Sequence, residues 1–358
     1  MYTDLKREVM KSRNYDIVKE ILKGEGIMVR KVLIGFLLIL ISVFVFAGGK
    51  NETAVPTAAP KETGVMTAEV KGTGVPFKAP ISIGTKNFTE QFIVGNLMAI
   101  LLQDRGYDVE LKTGMASTVL REAMENGSLD LCMEYTGTQW LSYSGNAFKG
   151  ESPKEMYEKS KESDAKKGLI WLAPIWCNNT YAIAITSEFS KENNVTNLSQ
   201  FAEYVKGKEG KVKFASDFEF YSRPDGILGL QLHYGFAFEP DFVTTVLPGL
   251  TLEYLASGKS VATMVFGTDS AVVKNNWVVL QDDKNFWPPY DMAPYLSQEA
   301  LDANPGLADV LGELVAGFPD DPAGARAEMT ALNAKVDIDL MEPEEAAKEW
   351  LQAKGLIK

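Results

Sequence analysis

From residue 81 onward, short apolar runs alternate with longer segments in which apolar residues recur every three or four positions. Ile81-Ser82-Ile83-Gly84 reads as a strand. Thr89 is placed to cap a helix whose apolar face continues through Ile93, Leu97, Ile100 and Leu101, until Gly106 stops it. Residues 107–111 start a second strand. Ser117 opens a helix carrying Val119, Leu120, Ala123 and Met124, which ends at Asn126-Gly127. Residues 129–133 form a third strand, and this β-α-β-α-β order predicts a parallel sheet with crossover helices.

A charged helix follows at residues 153–167, then a long apolar run at 169–185 with Asn178-Asn179-Thr180-Tyr181 in its middle. The run is too long for one strand and reads as a crossover between domains. A second α/β unit has helices at 195–204 and 225–234, a helix end at 254–257, and strands at 211–216 and 261–266. Residues 278–280 resemble a returning strand, followed by two or three helices to the end. The last opens at Pro343 and turns Ala346, Ala347, Trp350 and Leu351 inward.

Upstream, residues 32–47 are one apolar run behind Arg30 and Lys31, shorter than the roughly 20 residues of a membrane span. With Val45 and Ala47 before Gly48, residues 28–47 read as a cleavable signal peptide, an uncleaved anchor being the alternative. Residues 1–27 are rich in charge and unlike such a signal, so Met28 is the expected start. No cysteine follows closely, which excludes lipid attachment there. Residues 48–80, mostly Ala, Thr, Pro, Gly, Lys and Glu, read as a flexible linker. Export would make a Cys132–Cys177 disulfide chemically available; two separate buried thiols are the alternative.

Of the 358 residues 46% are hydrophobic, enough for two cores, and the formal charge of −12 argues against a nucleic-acid partner. Two cysteines, one histidine and no CxxC argue against a Cys/His zinc site, and neither a metal nor a cofactor is implied. Asp130-Leu131-Cys132-Met133 runs straight into Glu134-Tyr135-Thr136-Gly137-Thr138, a buried strand emptying into a polar loop. Open α/β sheets present ligand-binding groups in this way, although a strand and an ordinary Thr-Gly turn would look the same. Lys86, Asn179, Tyr181, Arg223, Phe266 and Tyr290 stand at other strand ends or crossovers. Singly, each has a plain reading as a core-edge ring or a solvated charge.

Taken in order, Ile83-Gly84-Thr85-Lys86-Asn87-Phe88-Thr89-Glu90-Gln91, Glu134 to Thr138, Ser216 to Phe220 leading to Arg223-Pro224-Asp225-Gly226, and Asp282-Asp283-Lys284 with Pro288-Pro289-Tyr290 form one set. The set resembles the glycine betaine/choline/proline-betaine substrate-binding proteins of osmoprotectant ABC transporters, over residues 81–358. The resemblance implies a type II periplasmic-binding-protein clamshell, α/β, each lobe a mainly parallel sheet flanked by helices. The first lobe would comprise residues 81–180 and 272–358, the second 181–271, with the ligand between them. Tyr135, Tyr181 and Tyr290 would wall an aromatic cage, with Phe266 where a fourth tyrosine is expected. Lys86, Thr138 and Arg223 would hold a ligand carboxylate, Asn179 would line the same pocket, and Trp287 would pack beneath Tyr290.

Physical chemistry supports such roles. A quaternary ammonium cannot donate a hydrogen bond, so it must be held by rings, each worth about 0.5–2 kcal/mol. A carboxylate calls for charge-assisted donors. An aromatic end and a cationic end therefore suit glycine betaine, then proline betaine or carnitine. Choline would leave Lys86 and Arg223 unpaired, which makes a choline-selective protein the alternative. The expected partners are a membrane permease and an ATPase subunit, the expected state is a monomer, and the place is the periplasm or cell surface. No GxxxxGK[ST] motif supplies ATP binding in this chain. An exported enzyme is the rival class, but His233 lies inside a predicted helix and no Gly-x-Ser-x-Gly elbow occurs. A ligand-bound sensor is the third reading. Glu134 and Asp269 could form a carboxylate pair, but both read better as braces for their own loops.

Overall fold

In the computed structural model, which describes residues 79–358, β1 (Ile81–Lys86) is buried along nearly its whole length. It pairs in parallel with β2 (Val109–Met115) and β3 (Leu131–Tyr135), as the strand–helix alternation requires. The expected start, signal segment and most of the linker lie outside the described residues. Between these strands run α1 (Thr89–Asp104) and α2 (Ser117–Glu125). α1 does not begin with the cap expected from sequence: its N-cap is Phe88, without a side-chain hydrogen bond, and the Thr89 hydroxyl donates to Asp337 instead; α2 opens at Ser117 as expected.

After α3 (Pro153–Ala165) and β4 (Leu169–Trp171) the chain crosses to a second sheet. There it forms β5 (Tyr181–Ile185), α4 (Ser187–Asn193), α5 (Leu198–Gly207), β6 (Phe214–Ser216), α6 (Phe218–Ser222) and α7 (Ile227–Tyr234). β7 (Val243–Thr245), α8 (Leu250–Ala256), β8 (Ala262–Phe266), α9 (Ser270–Lys274) and β9 (Val278–Val279) follow. The chain then returns to the first sheet as β10 (Met292–Ser297), and ends with α10 (Gln298–Ala303), α11 (Leu307–Ala316), α12 (Pro322–Asp337) and α13 (Pro343–Ala353).

Both sheets have five strands, in the orders β2-β1-β3-β10-β4 and β7-β6-β8-β5-β9. Each is mainly parallel, as expected: four strands run the same way and one is reversed. β10 lies antiparallel between β3 and β4, and β5 lies antiparallel between β8 and β9. In each sheet the reversed strand is the one entered from the other lobe, so the crossing sets its direction. The expected return to the first lobe at residue 272 comes too early, because β9 still pairs with β5. β10 itself is absent from the sequence reading. Pro294 in its middle argues against a strand, yet it pairs with Met133 and its carbonyl accepts from Leu172 N.

Two crossings join the lobes side by side. Ile175 N donates to Met292 O, Asn179 N to Tyr290 O, and Tyr290 N to the Asn178 side chain at 2.8 Å. Asn178 takes a left-handed φ of 40°, which asparagine tolerates better than most residues. Cys132 and Cys177 are free, buried thiols. Under the first sheet, α1 buries Ile93, Val94, Leu97, Met98, Leu101 and Leu102 against α13, whose Ala346, Ala347, Trp350 and Leu351 face it.

Replacing the fully buried Leu351 with alanine is expected to destabilise the protein by about 2–5 kcal/mol in urea unfolding. A loss well below that range would show that α13 is not part of the core that fixes α1.

Candidate functional site

The carboxyl ends of β1, β3, β6 and β8 meet the two crossings at a cavity of about 280 Å³. Lys86, Tyr135, Thr138, Asn179, Tyr181, Arg223, Phe266 and Tyr290 all line it. Ligand pockets commonly span roughly 300–1,000 Å³, so this one suits a small molecule.

Its apolar wall is a continuous arc of rings. Tyr290 meets Tyr181 edge-on at 6.0 Å, and Tyr181 stacks on Phe266 at 5.3 Å. Phe266 stacks on Phe88 at 5.0 Å, and Phe88 lies 6.1 Å from Tyr135. Phe88 is a member that sequence reading missed, although it stands two residues after Lys86 in a motif already singled out. Burial pushes the hydroxyl pKa values of Tyr135, Tyr181 and Tyr290 well above the ordinary phenol, so all three rings are neutral. Trp287 does not line the cavity. It packs toward Phe220 and donates its ring N–H to Asp225 O.

The plain reading of the loop from Glu134 to Thr138 is an ordinary Thr-Gly turn. Residues Thr136–Thr138 instead form one helical turn, and the Tyr290 ring lies against Gly137 so closely that a Cβ there would sit 2.7 Å from it. Close approach, rather than turn flexibility, accounts for the glycine.

The two cations are paired within the protein, which corrects the expectation that a ligand without a carboxylate would leave them unpaired. Lys86 Nζ lies 2.5 Å from Glu134 Oε1, both side chains being almost fully buried. Glu134 also accepts from Tyr135 N at 2.7 Å and from the Tyr143 hydroxyl at 2.9 Å. It thus braces its own loop, as Asp269 does by accepting from Phe266 N. Arg223 forks onto Asp225 at 2.8 and 2.6 Å, reaches Glu219 at 3.2 Å and donates to Thr138 Oγ1 at 3.3 Å. These contacts occupy four of the five guanidinium N–H groups, whereas the Glu134 bond occupies one of the three on Lys86. Nor do the charges sit apart from the rings. Lys86 Nζ is 4.9 Å from the Tyr135 ring centre and Arg223 Cζ is 5.5 Å from that of Tyr181. The aromatic and cationic ends expected from sequence interleave.

Behind the arc, Glu90 joins the lobes. Its carboxylate accepts from Tyr135 Oη at 2.7 Å, Asn179 Nδ2 at 2.9 Å and Thr268 Oγ1 at 2.6 Å. Burial raises its pKa against these bonds. A second cavity of about 120 Å³ lies here, lined by Glu90, Asp217, Asp269 and Asp337 but by no lysine or arginine. Burial pushes Asp217 up to about 6 and Asp269 up to about 7, the latter helped by the charges of Asp337, Glu90 and Asp217.

A family model described as the substrate-binding domain of the ABC-type glycine betaine transport system matches residues 79–353. The glycine-betaine-binding protein of Pseudomonas aeruginosa is 34% identical over 282 residues, covering 77% of this chain and 88% of its own length. The glycine betaine-binding protein YehZ of Escherichia coli is 29% identical over 288 residues, covering 78% and 92%. A solved structure titled as a glycine betaine/carnitine/choline ABC transporter shares the fold with a TM-score of 0.61 at 24% identity, over 78% of this chain and all of its own.

A carboxyl whose pKa is raised by folding holds its proton more tightly in the native than in the unfolded state. Its contribution favours the native state at low pH and is withdrawn as pH rises from about 4 to about 7. Asp269→Asn is therefore expected to raise the Tm relative to wild type more at about pH 8 than at about pH 5. An equal Tm difference at both pH values would show that Asp269 does not titrate in that window.

Proposed function

The chain belongs to the family of substrate-binding domains of ABC-type glycine betaine transport systems, and from that membership we propose that its cavity captures a quaternary-ammonium osmolyte. Glycine betaine is the first ligand, with proline betaine and carnitine next. On this reading the protein works outside the cytoplasmic membrane as a monomeric carrier rather than an enzyme, and hands its ligand to permease and ATPase subunits.

The observation that carries the reading is the arc of five rings beside a buried lysine that keeps two spare N–H groups. Tyr135, Phe88, Phe266, Tyr181 and Tyr290 offer the faces that an ammonium lacking N–H groups needs, each worth about 0.5–2 kcal/mol. The spare donors of Lys86, the last of Arg223 and the Thr138 hydroxyl are the groups for a ligand carboxylate, and such bonds are roughly twice as strong as neutral ones. Asn179 holds Glu90 and through it Tyr135, so it orients the wall. Lobe closure over the ligand would create the surface that the permease meets.

A second reading, preference for choline, is favoured by one observation. Glu134, Asp225 and Glu219 together outnumber the two cations they contact, so the cavity does not need a ligand carboxylate for charge balance.

Isothermal calorimetry of the purified protein against glycine betaine, proline betaine, carnitine and choline tests the assignment. At least one is expected to bind in the micromolar range or tighter; heats at the level of dilution for all four would reject it. Tyr181→Ala should weaken that binding at least about tenfold through loss of one ring, whereas Tyr204→Ala, whose ring packs on Phe189 away from the cavity, should change it little. Equal losses in the two variants would place the ligand elsewhere.

A further inference from the structure

Glu219 stands on the second-lobe side of the cavity, on the short α6, and points back to the first lobe. One carboxylate oxygen accepts from Ser117 N at 2.6 Å and the other from Ser117 Oγ at 2.7 Å. Ser117 is the first residue of α2, whose opening N–H groups have no partner within the helix. The same carboxylate lies 3.2 Å from Arg223 Nη1, four residues along. Burial draws its pKa upward, but the charges of Arg223 and Lys86 and the two Ser117 donors outweigh that and hold it below the usual carboxylate range. Glu219 is therefore an anion at the cavity wall. Asp225 already takes two of the Arg223 N–H groups, and Glu219 takes a third together with both donors of Ser117.

These donors are the kind a ligand carboxylate would seek. A zwitterionic ligand reaching for them meets a resident carboxylate, and must displace it or do without. A ligand carrying only an ammonium meets no such competition and gains from the added negative charge. We propose that Glu219 sets the discrimination between zwitterionic and purely cationic quaternary-ammonium ligands, by occupying the Ser117 and Arg223 donors as an internal substitute for the ligand carboxylate. The proposal rests on the quaternary-ammonium reading of the cavity and adds to it the residue that decides which member of the class is favoured.

The test is calorimetric titration of wild type, Glu219→Gln and Ser117→Ala with glycine betaine and with choline. Glu219→Gln keeps the length of the side chain but removes its charge. It is expected to strengthen glycine betaine binding and weaken choline binding, moving the ratio of the two Kd values about tenfold toward glycine betaine. Ser117→Ala removes one of the donors that hold the carboxylate and leaves the charge in place. It should loosen Glu219 and ease displacement by a ligand carboxylate, shifting the ratio in the same direction by a smaller factor. It also keeps the question answerable if Glu219→Gln fails to fold. A ratio unmoved within about twofold in the folded variants, or moved toward choline, overturns the proposal while the binding function stands. Wild type that binds neither ligand overturns this proposal; the functional reading falls with it only when carnitine and proline betaine also give heats at the level of dilution.

Discussion

A carboxylate buried where two lobes meet must be supplied with donors, and the Glu90 side chain obtains them from three different segments. Tyr135 reaches it from the end of β3, Asn179 from the first crossing and Thr268 from the loop after β8. An unsatisfied buried charge costs far more than any one of these bonds contributes, so the three donors are held in register by the same requirement. Thr268 is in turn anchored by Asn333 of α12, which donates to its carbonyl at 3.0 Å. The position of the aromatic wall follows from this arrangement, since Tyr135 is fixed by its hydroxyl and Tyr181 lies two residues after Asn179. Both faces of the wall are thus set by polar chemistry behind it.

In front of the wall the same rule governs the cations. Lys86 is buried and Arg223 mostly so, and each is compensated by carboxylates from its own neighbourhood in sequence or space. Asp225 illustrates the balance: burial raises its carboxyl pKa, yet the Arg223 charge and the bonds from Arg223 and Tyr290 bring it below the usual range. Tyr143 enters the same network, because its hydroxyl is shared between Glu134 and the Ser117 carbonyl. It supports the carboxylate that holds Lys86.

The cavity residues are legible chiefly through the resemblance of four ordered motifs to a known family; apolar runs alone place them at strand ends or crossovers, where each has a plain reading. What those residues do to one another is not legible there. Glu90 reads in sequence as an ordinary acidic residue in the first turn of a helix, where it would suit the helix dipole at the surface. Only the start of α1 inside the interlobe space buries it. Asp225 was in plain view in Arg223-Pro224-Asp225-Gly226, but its pairing with Arg223 depends on the bend that turns both side chains inward. Among the strands, β1 is visible through Ile81 and Ile83 in alternation and β3 through the apolar run Leu131-Cys132-Met133. β7 is three residues long and only partly buried, and β10 carries Pro294, so both lacked the pattern that identifies a strand. The lobe boundary was misplaced for a similar reason, because two residues of β9 decide it.

The position of β10 bears on how the chain acquires its shape. The second sheet is assembled from one continuous stretch, β5 to β9, and contains all its strands by residue 279. The first sheet has a gap between β3 and β4 that only residues 292–297 can fill. A chain emerging from its amino terminus can thus complete the later-starting lobe before the earlier one. Until β10 arrives, the paired edges of β3 and β4 are open, with their backbone groups unsatisfied and able to pair elsewhere. Such long-range closure slows folding and lengthens exposure of the open edges. In a chain made from its amino terminus, that order keeps the first lobe incomplete until residue 297 of 358 has emerged.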